Sequence, residues 1–209
     1  MKKITVKEIS SIVAVMGDVI IENEVPFCEL DSVAGDGDFG MSVAKGFKVL
    51  KAEWNELDTT DIGTFLKSCG MIIIEHCGGA SGPIWGSAFR AAGVSAKGKA
   101  EVNLTEFAQM MQSAVEGIQK RGGAKLGDKT LLDALIPTAE SLKESATADK
   151  TFKEALTLGA AAAREGAEKT RDFVASKGRA SYVGDRSLGH PDAGAMALGI
   201  IFTIIAEKF

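Results

Sequence analysis

Apolar residues recur at helical spacing along nearly the whole chain, and that regularity excludes most folds. Ile9, Ile12, Val13, Met16 and Ile20 stand at i, i+3, i+4, i+7 and i+11, one face of a helix over 6–23. The same spacing predicts helices over 40–57, 62–77, 83–96, 104–121, 130–145, 151–169 and 192–208. Thr60 or Asp61 ahead of Ile62, and Thr105 beside Glu106, supply start signals, and Pro83 suits the first position of a helix. Only very short period-2 runs occur, so no sheet is expected. The expected architecture is all-α, eight helices in one domain over residues 1–209.

Composition narrows the function classes. The chain has 209 residues, 45% apolar and 25% charged, enough to bury a full core. Net charge is −4 with the cations scattered among acids, so there is no basic footprint for nucleic acid. No apolar run approaches the ~18 residues of a membrane span. The start Met-Lys-Lys-Ile-Thr-Val lacks the apolar stretch of a signal peptide, so a cytoplasmic protein without a membrane partner is expected. Cys28, Cys69 and Cys77 form no CxxC pair and read as reduced core residues. His76 ends an apolar helix and reads as a C-terminal or packing residue.

The connections fall into two kinds. Residues 95–100 and 146–150 are plain polar links. Four others, 33–40, 78–83, 121–130 and 178–194, are rich in glycine and small polar residues. In an up-down helical domain alternate loops lie at one end, and these four follow the first, third, fifth and seventh predicted helices. They are expected to converge on one site.

The first of them concentrates charge. Asp31, Asp36 and Asp38 stand at i, i+5 and i+7, threaded with Gly35, Gly37 and Gly40. Carboxylates this close repel unless a hard cation such as Mg²⁺ or Ca²⁺ sits among them, though Asp and Gly also make ordinary polar turns. A metal held by Asp alone keeps open positions for phosphates. Gly78-Gly79-Ala80-Ser81-Gly82-Pro83 precedes a helix, whose backbone N–H groups can hold an anion with help from the Ser81 hydroxyl. Gly127-Asp128-Lys129-Thr130 resembles a fragment of a P-loop but lacks its GxxxxGK[ST] spacing and preceding strand. Asp128 or Thr130 is either a helix N-cap or a ligand. In the last loop Arg179 and Arg186 can neutralise phosphate oxygens or nearby acids, and His190 is either a base or part of a rigid corner.

Taken together, Leu30-Asp31 with Gly35-Asp36-Gly37-Asp38, then 78–82, 127–130, 178–182, and Gly189-His190 with Asp192 and Gly194 resemble the nucleotide-binding L subunit of dihydroxyacetone kinase. The match extends to the corresponding C-terminal domain of the single-chain ATP-dependent enzymes and runs nearly end to end. The resemblance implies an eight-helix antiparallel barrel with nucleotide and Mg²⁺ bound by loops at one end. It implies that Asp31, Asp36 and Asp38 hold two Mg²⁺ ions that bridge to ADP or ATP. It also implies nucleotide contacts from Phe39, Gly40, Met41, Ser42, Ala80, Ser81, Gly122, Thr130, Leu131, Arg179, Asp192, Ala193 and Gly194. No side chain of this chain need act as a nucleophile.

In the phosphotransferase-dependent version of the family, ADP stays bound and is rephosphorylated by a phosphohistidine-carrying M subunit. The resulting ATP then phosphorylates dihydroxyacetone held on a separate K subunit. A homodimer is compatible with the sequence. The family commonly has His where this chain has Phe39, and Asp-Pro-Gly where it has Asp192-Ala193-Gly194. These departures keep open a paralogue serving another triose or tetrose ketose, an ATP-dependent kinase subunit, or a regulatory nucleotide-binding subunit without transferase activity. A fatty-acid kinase domain fits less well, because a long second domain would be expected beyond Phe209.

Overall fold

A computed structural model describes residues 3–209, with nine α-helices among them. They are α1 (Val6–Glu22), α2 (Glu24–Ser32), α3 (Phe39–Ala52), α4 (Ile62–His76), α5 (Ser81–Ser95), α6 (Leu104–Gly122), α7 (Leu132–Thr147), α8 (Phe152–Lys169) and α9 (Ala193–Lys208). Two-residue strands, β1 (Ile4–Thr5) and β2 (Glu101–Val102), pair antiparallel. The all-α expectation holds. The count of eight misses α2, a helix with Pro26 in its first turn, where no N–H is needed, and with Phe27 alone buried. One apolar anchor in nine residues leaves no periodicity to read.

Local chemistry sets the other boundaries. Capping boxes start α1 (Thr5 with Glu8), α6 (Asn103 with Glu106, not Thr105) and α8 (Thr151 with Glu154), each satisfying two orphan N–H groups reciprocally. Asp61 caps α4 through the Thr64 amide at 3.0 Å. The predicted helix over 40–57 stops at Ala52, and Trp54–Glu56 forms a separate 3₁₀ turn. Pro83 falls third in α5 rather than first, still within the turn that tolerates it.

Helices adjacent in sequence pack on one another from α3 to α9, while α1 packs on both α9 and α3, and α2 lies on α3. The α4–α5 pair is close enough to exclude side chains. A Cβ on Gly63 would stand 2.6 Å from Gly93 O, and one on Gly86 would stand 2.7 Å from Gly70 O. Those glycines, seven apart on each helix, let the two backbones touch. The core runs through Phe27, Phe47, Phe65, Ile73, Ile118, Leu142 and Ile201, all fully buried. Each such side chain contributes ~1.5–3 kcal/mol relative to exposure.

The two ends differ in how backbone groups are satisfied. At one end the chain ties itself to itself: Val6 N–H donates to Ala100 O, Ile62 N–H to Lys99 O, and Gly98 N–H to the Asp61 carboxylate. There α1, α4, α6 and α8 all begin under side-chain caps. At the other end α3, α5 and α7 begin with no side-chain cap. No N-cap side chain closes these three starts, at the end that carries the four glycine-rich loops; instead Phe39 N–H of α3 donates to the Asp31 carboxylate and Leu132 N–H of α7 to the Thr130 hydroxyl.

Candidate functional site

Asp31 occupies the last turn of α2, not a turn of irregular chain, and Asp36 and Asp38 follow in the loop before α3. The Asp31 carboxylate folds the loop back on itself by accepting from Gly37 N–H at 2.9 Å and Phe39 N–H at 3.4 Å. Gly37 has φ +74°, which lets the chain reverse there. One oxygen from each of the three carboxylates then lies within 4.8 Å of the others. Partial desolvation, and then the neighbouring Asp36 and Asp31 carboxylates, push the Asp38 carboxyl above its ordinary range, opposed by Arg179. Three hard oxygen donors aimed together suit Mg²⁺ or Ca²⁺ better than a soft metal.

Arg179, carried by the 3₁₀ segment Arg179–Ser187, reaches across to this cluster, its Nε 2.9 Å from Asp36 Oδ2. The first and last loops therefore meet. The segment, one of the four connections between predicted helices, is itself helical in short pieces, broken at Gly184 (φ 56°, ψ −130°). Arg186 and Tyr182 remain exposed.

The second loop joins α3. Gly78 N–H donates to Ser42 O at 3.0 Å, and a Cβ on Gly78 would lie 2.7 Å from Ser42 Oγ. Gly79 has φ +54°, turning the chain into the uncapped start of α5 at Ala80 and Ser81. Gly122 ends α6, and a Cβ there would meet Ile84 of α5 at 3.0 Å, so it flanks the α5 side rather than the carboxylates. Phe39, Gly40, Met41 and Ser42 form the first turn of α3. The Phe39 ring turns inward onto Phe27, with centroids 6.1 Å apart, and Met41 N–H donates to Cys28 Sγ at 3.3 Å.

The third loop fastens the fourth. Neither Asp128 nor Thr130 is the N-cap of α7; that position is Leu131. The Asp128 carboxylate accepts from Ser176 Oγ (2.8 Å) and Lys125 N–H (2.9 Å). Burial pushes this carboxyl up, but those bonds and the Lys125 and Lys177 charges outweigh it and hold it low. The Thr130 hydroxyl accepts from Leu132 N–H at 3.2 Å. A Cβ on Gly194 would lie 3.2 Å from Leu131 Cβ, so the starts of α7 and α9 touch.

Asp192 caps α9 by accepting from Ala195 N–H at 2.8 Å. The residue is partly exposed, but its carboxyl is screened from water by the packed loops, and that burial pushes it up to about 7. His190 contributes its backbone carbonyl, which accepts from Lys129 Nζ at 2.6 Å. Sequence reasoning overlooked Lys129 and Asp133, each 1% exposed. The GDKT fragment was the available signal, but its lysine faces inward, the opposite of what a phosphate-binding lysine does. Burial pushes the Lys129 ammonium below the usual lysine range, partly opposed by Asp192.

A helical domain whose carboxylate cluster, paired arginine and uncapped helix starts share one end is a class suited to holding a metal with a phosphate-bearing ligand. The chain belongs to the DAK2 domain family, whose model matches residues 33–207. Within it the chain belongs with the DhaL-type ADP-binding subunits. It is 39% identical over 195 residues to the "PEP-dependent dihydroxyacetone kinase 2, ADP-binding subunit DhaL" of Listeria innocua, covering 92% of this chain and 90% of that one. It is 34% identical to the corresponding Escherichia coli K12 subunit, covering 91% and 90%. Among solved structures, the dihydroxyacetone kinase from C. freundii in complex with AMP-PNP and Mg²⁺ superposes with a TM-score of 0.75 at 27% identity. That match covers 95% of this chain but spans 33% of the solved one. No helix of the described residues is long and apolar enough to cross a membrane.

Proposed function

We propose that this chain is the ADP/ATP- and Mg²⁺-binding subunit of a dihydroxyacetone kinase. The observation that carries the reading is the Asp31–Asp36–Asp38 cluster, with oxygens within 4.8 Å of one another and Arg179 paired to it. In this reading residues 1–209 act as one domain, and α1 with α3–α9 close into an eight-helix antiparallel barrel onto which α2 is added. The ring of contacts from α3 through α9 to α1 supports that closure.

Asp31, Asp36 and Asp38 hold two Mg²⁺ ions, whose chemistry is to neutralise phosphate charge and orient the transferred group. Around them, Phe39 to Ser42 at the start of α3 and Ala80 with Ser81 at the start of α5 border the nucleotide phosphates. Gly122, Thr130 and Leu131, with Asp192, Ala193 and Gly194, border the nucleotide. Arg179 exchanges Asp36 for a phosphate oxygen. No side chain becomes covalently modified, so the chain works by positioning and charge neutralisation. The phosphoryl group passes by way of the bound nucleotide to dihydroxyacetone, or a related ketose, on a separate K subunit, and is renewed by a phosphohistidine-bearing M subunit. The PEP-dependent relatives support that donor. The chain works in the cytoplasm, and a homodimer is compatible with this arrangement.

Calorimetric titration with ADP tests the reading: binding with Mg²⁺ and its loss with EDTA are expected, whereas no binding in either condition overturns it. Reconstitution with K and M subunits and phosphoenolpyruvate then reads transfer as triose phosphate formed. Tight ADP binding without product would favour the regulatory alternative.

A further inference from the structure

Lys129 is buried (1% exposed) on a backbone with φ +60°, a conformation that side-chain-bearing residues seldom adopt. The loop is tied on both sides of it. Asp128 accepts from Ser176 and Lys125, while Asp133 accepts from Gly127 N–H at 2.6 Å and Thr130 N–H at 2.8 Å. Those bonds hold the backbone so that the lysine points into the protein. Its Nζ donates to three backbone carbonyls: Thr170 O at 2.6 Å, Phe173 O at 3.0 Å and His190 O at 2.6 Å. An ammonium has three N–H donors, so all are used.

The position of those carbonyls matters. Phe173 and His190 bracket the segment that carries Arg179, one at each end. The stem is closed twice more, by Gly189 N–H on Arg171 O at 2.8 Å, two residues before the bracket, and by Ala175 N–H on Ser187 Oγ at 2.9 Å inside it. Thr170 extends the tie to α9, since its hydroxyl accepts from Asp192 N–H at 2.8 Å. At the far end of the loop the Arg179 guanidinium meets Asp36.

We propose that Lys129 is a positioning residue: it pins both ends of the 173–190 loop together and so aims Arg179 at the aspartate cluster. A buried charge is costly to maintain, and three converging carbonyls left without it would be costlier. The inference rests on the nucleotide reading for its binding arm and on the loop geometry alone for its structural arm.

Hydrogen exchange and calorimetry on the full chain test both arms in Lys129→Met, Arg179→Ala and the double variant. Lys129→Met should keep its helical circular dichroism and helix protection, while peptides over 174–189 exchange about tenfold faster. Its affinity for ADP with Mg²⁺ should fall about tenfold, and the double variant should bind no more weakly than Arg179→Ala alone. That lack of additivity separates aiming Arg179 from merely supporting the fold. Unchanged loop exchange, or losses that multiply in the double variant, would overturn the proposal. If the unmodified chain fails to bind ADP, the nucleotide reading falls while the exchange arm still decides the pin. Should Lys129→Met not fold, Lys129→Gln takes its place, keeping two amide donors for the carbonyls while losing the charge and the third donor. Collapse of both would overturn the proposal, because the ammonium would then hold the whole fold rather than one loop.

Discussion

Arg179 Nε lies 2.9 Å from Asp36 Oδ2, joining the last glycine-rich loop of the chain to the first. Both side chains are well exposed (68% and 39%), so the pair contributes at most ~1 kcal/mol to stability. Its value is electrostatic: it offsets one of three crowded carboxylates, and an exposed pair of this kind is readily exchanged for a metal and a phosphate.

Asp36→Ala removes one oxygen donor and the arginine's partner together. Affinity for ADP in the presence of Mg²⁺ should fall at least about tenfold by calorimetry. Thermal stability without metal should stay within about 0.5 kcal/mol of the parent chain. A large loss of metal-free stability would assign the cluster a structural role instead.

Gly40→Ala tests how α2 presents Asp31. A Cβ there would lie 2.0 Å from Glu24 O and 2.8 Å from Cys28 N, so α2 must move off α3. A destabilisation of ~1–3 kcal/mol is expected in chemical denaturation, with weakened Mg²⁺ binding because Asp31 moves with its helix. Unaltered stability would mean the two backbones are further apart than the geometry indicates.

Asp192→Asn isolates a titration while leaving a competent cap. The Asp192 carboxyl is raised from 3.8 to about 7 in the folded chain, so folding takes up a proton between those values. Its contribution is complete below about pH 4 and is lost as pH rises through 7. Relative to Asp192→Asn, the parent chain should therefore lose stability from about pH 4 to pH 7 and change little above that. Parallel stability–pH curves would contradict the burial of this carboxyl.

The cysteines should separate by reactivity. Cys69 and Cys77 are buried, and that burial pushes their thiols up to about 12 and about 11, whereas Cys28 is only half-buried beside the start of α3. One thiol should react quickly with a disulfide reagent in the native chain and three after denaturation. ADP with Mg²⁺ should slow the fast one, since Cys28 Sγ accepts from Met41 N–H within the proposed nucleotide border.

Much of the architecture was readable from residue order. Helical spacing placed every long helix within a few residues, because those helices bury a continuous apolar stripe. Helix α2 escaped because Phe27 is its one fully buried residue, so tertiary packing rather than pattern makes it helical. In consequence Asp31, read as a metal-site carboxylate between two predicted helices, proves to sit on a helix of its own. Loop parity brought the four glycine-rich segments to one end, and Arg179–Asp36 and Gly78–Ser42 are among the contacts that join them. The GDKT fragment drew attention to Lys129, but nothing in it shows that Lys129 and Asp133 turn inward: their partners are backbone groups, and every residue type offers the same carbonyl and amide.

Sequence alone determined the helical class, the three-aspartate cluster and the grouping of loops around it, since these depend on side-chain type and local spacing. Only the tertiary structure decided that Asp31 rides on α2, that Phe39 packs onto Phe27, and that one buried ammonium closes the loop bearing Arg179. Those outcomes depend on backbone groups far apart in the chain meeting in a space from which water is excluded. Such meetings are a property of packing and leave no period or motif behind.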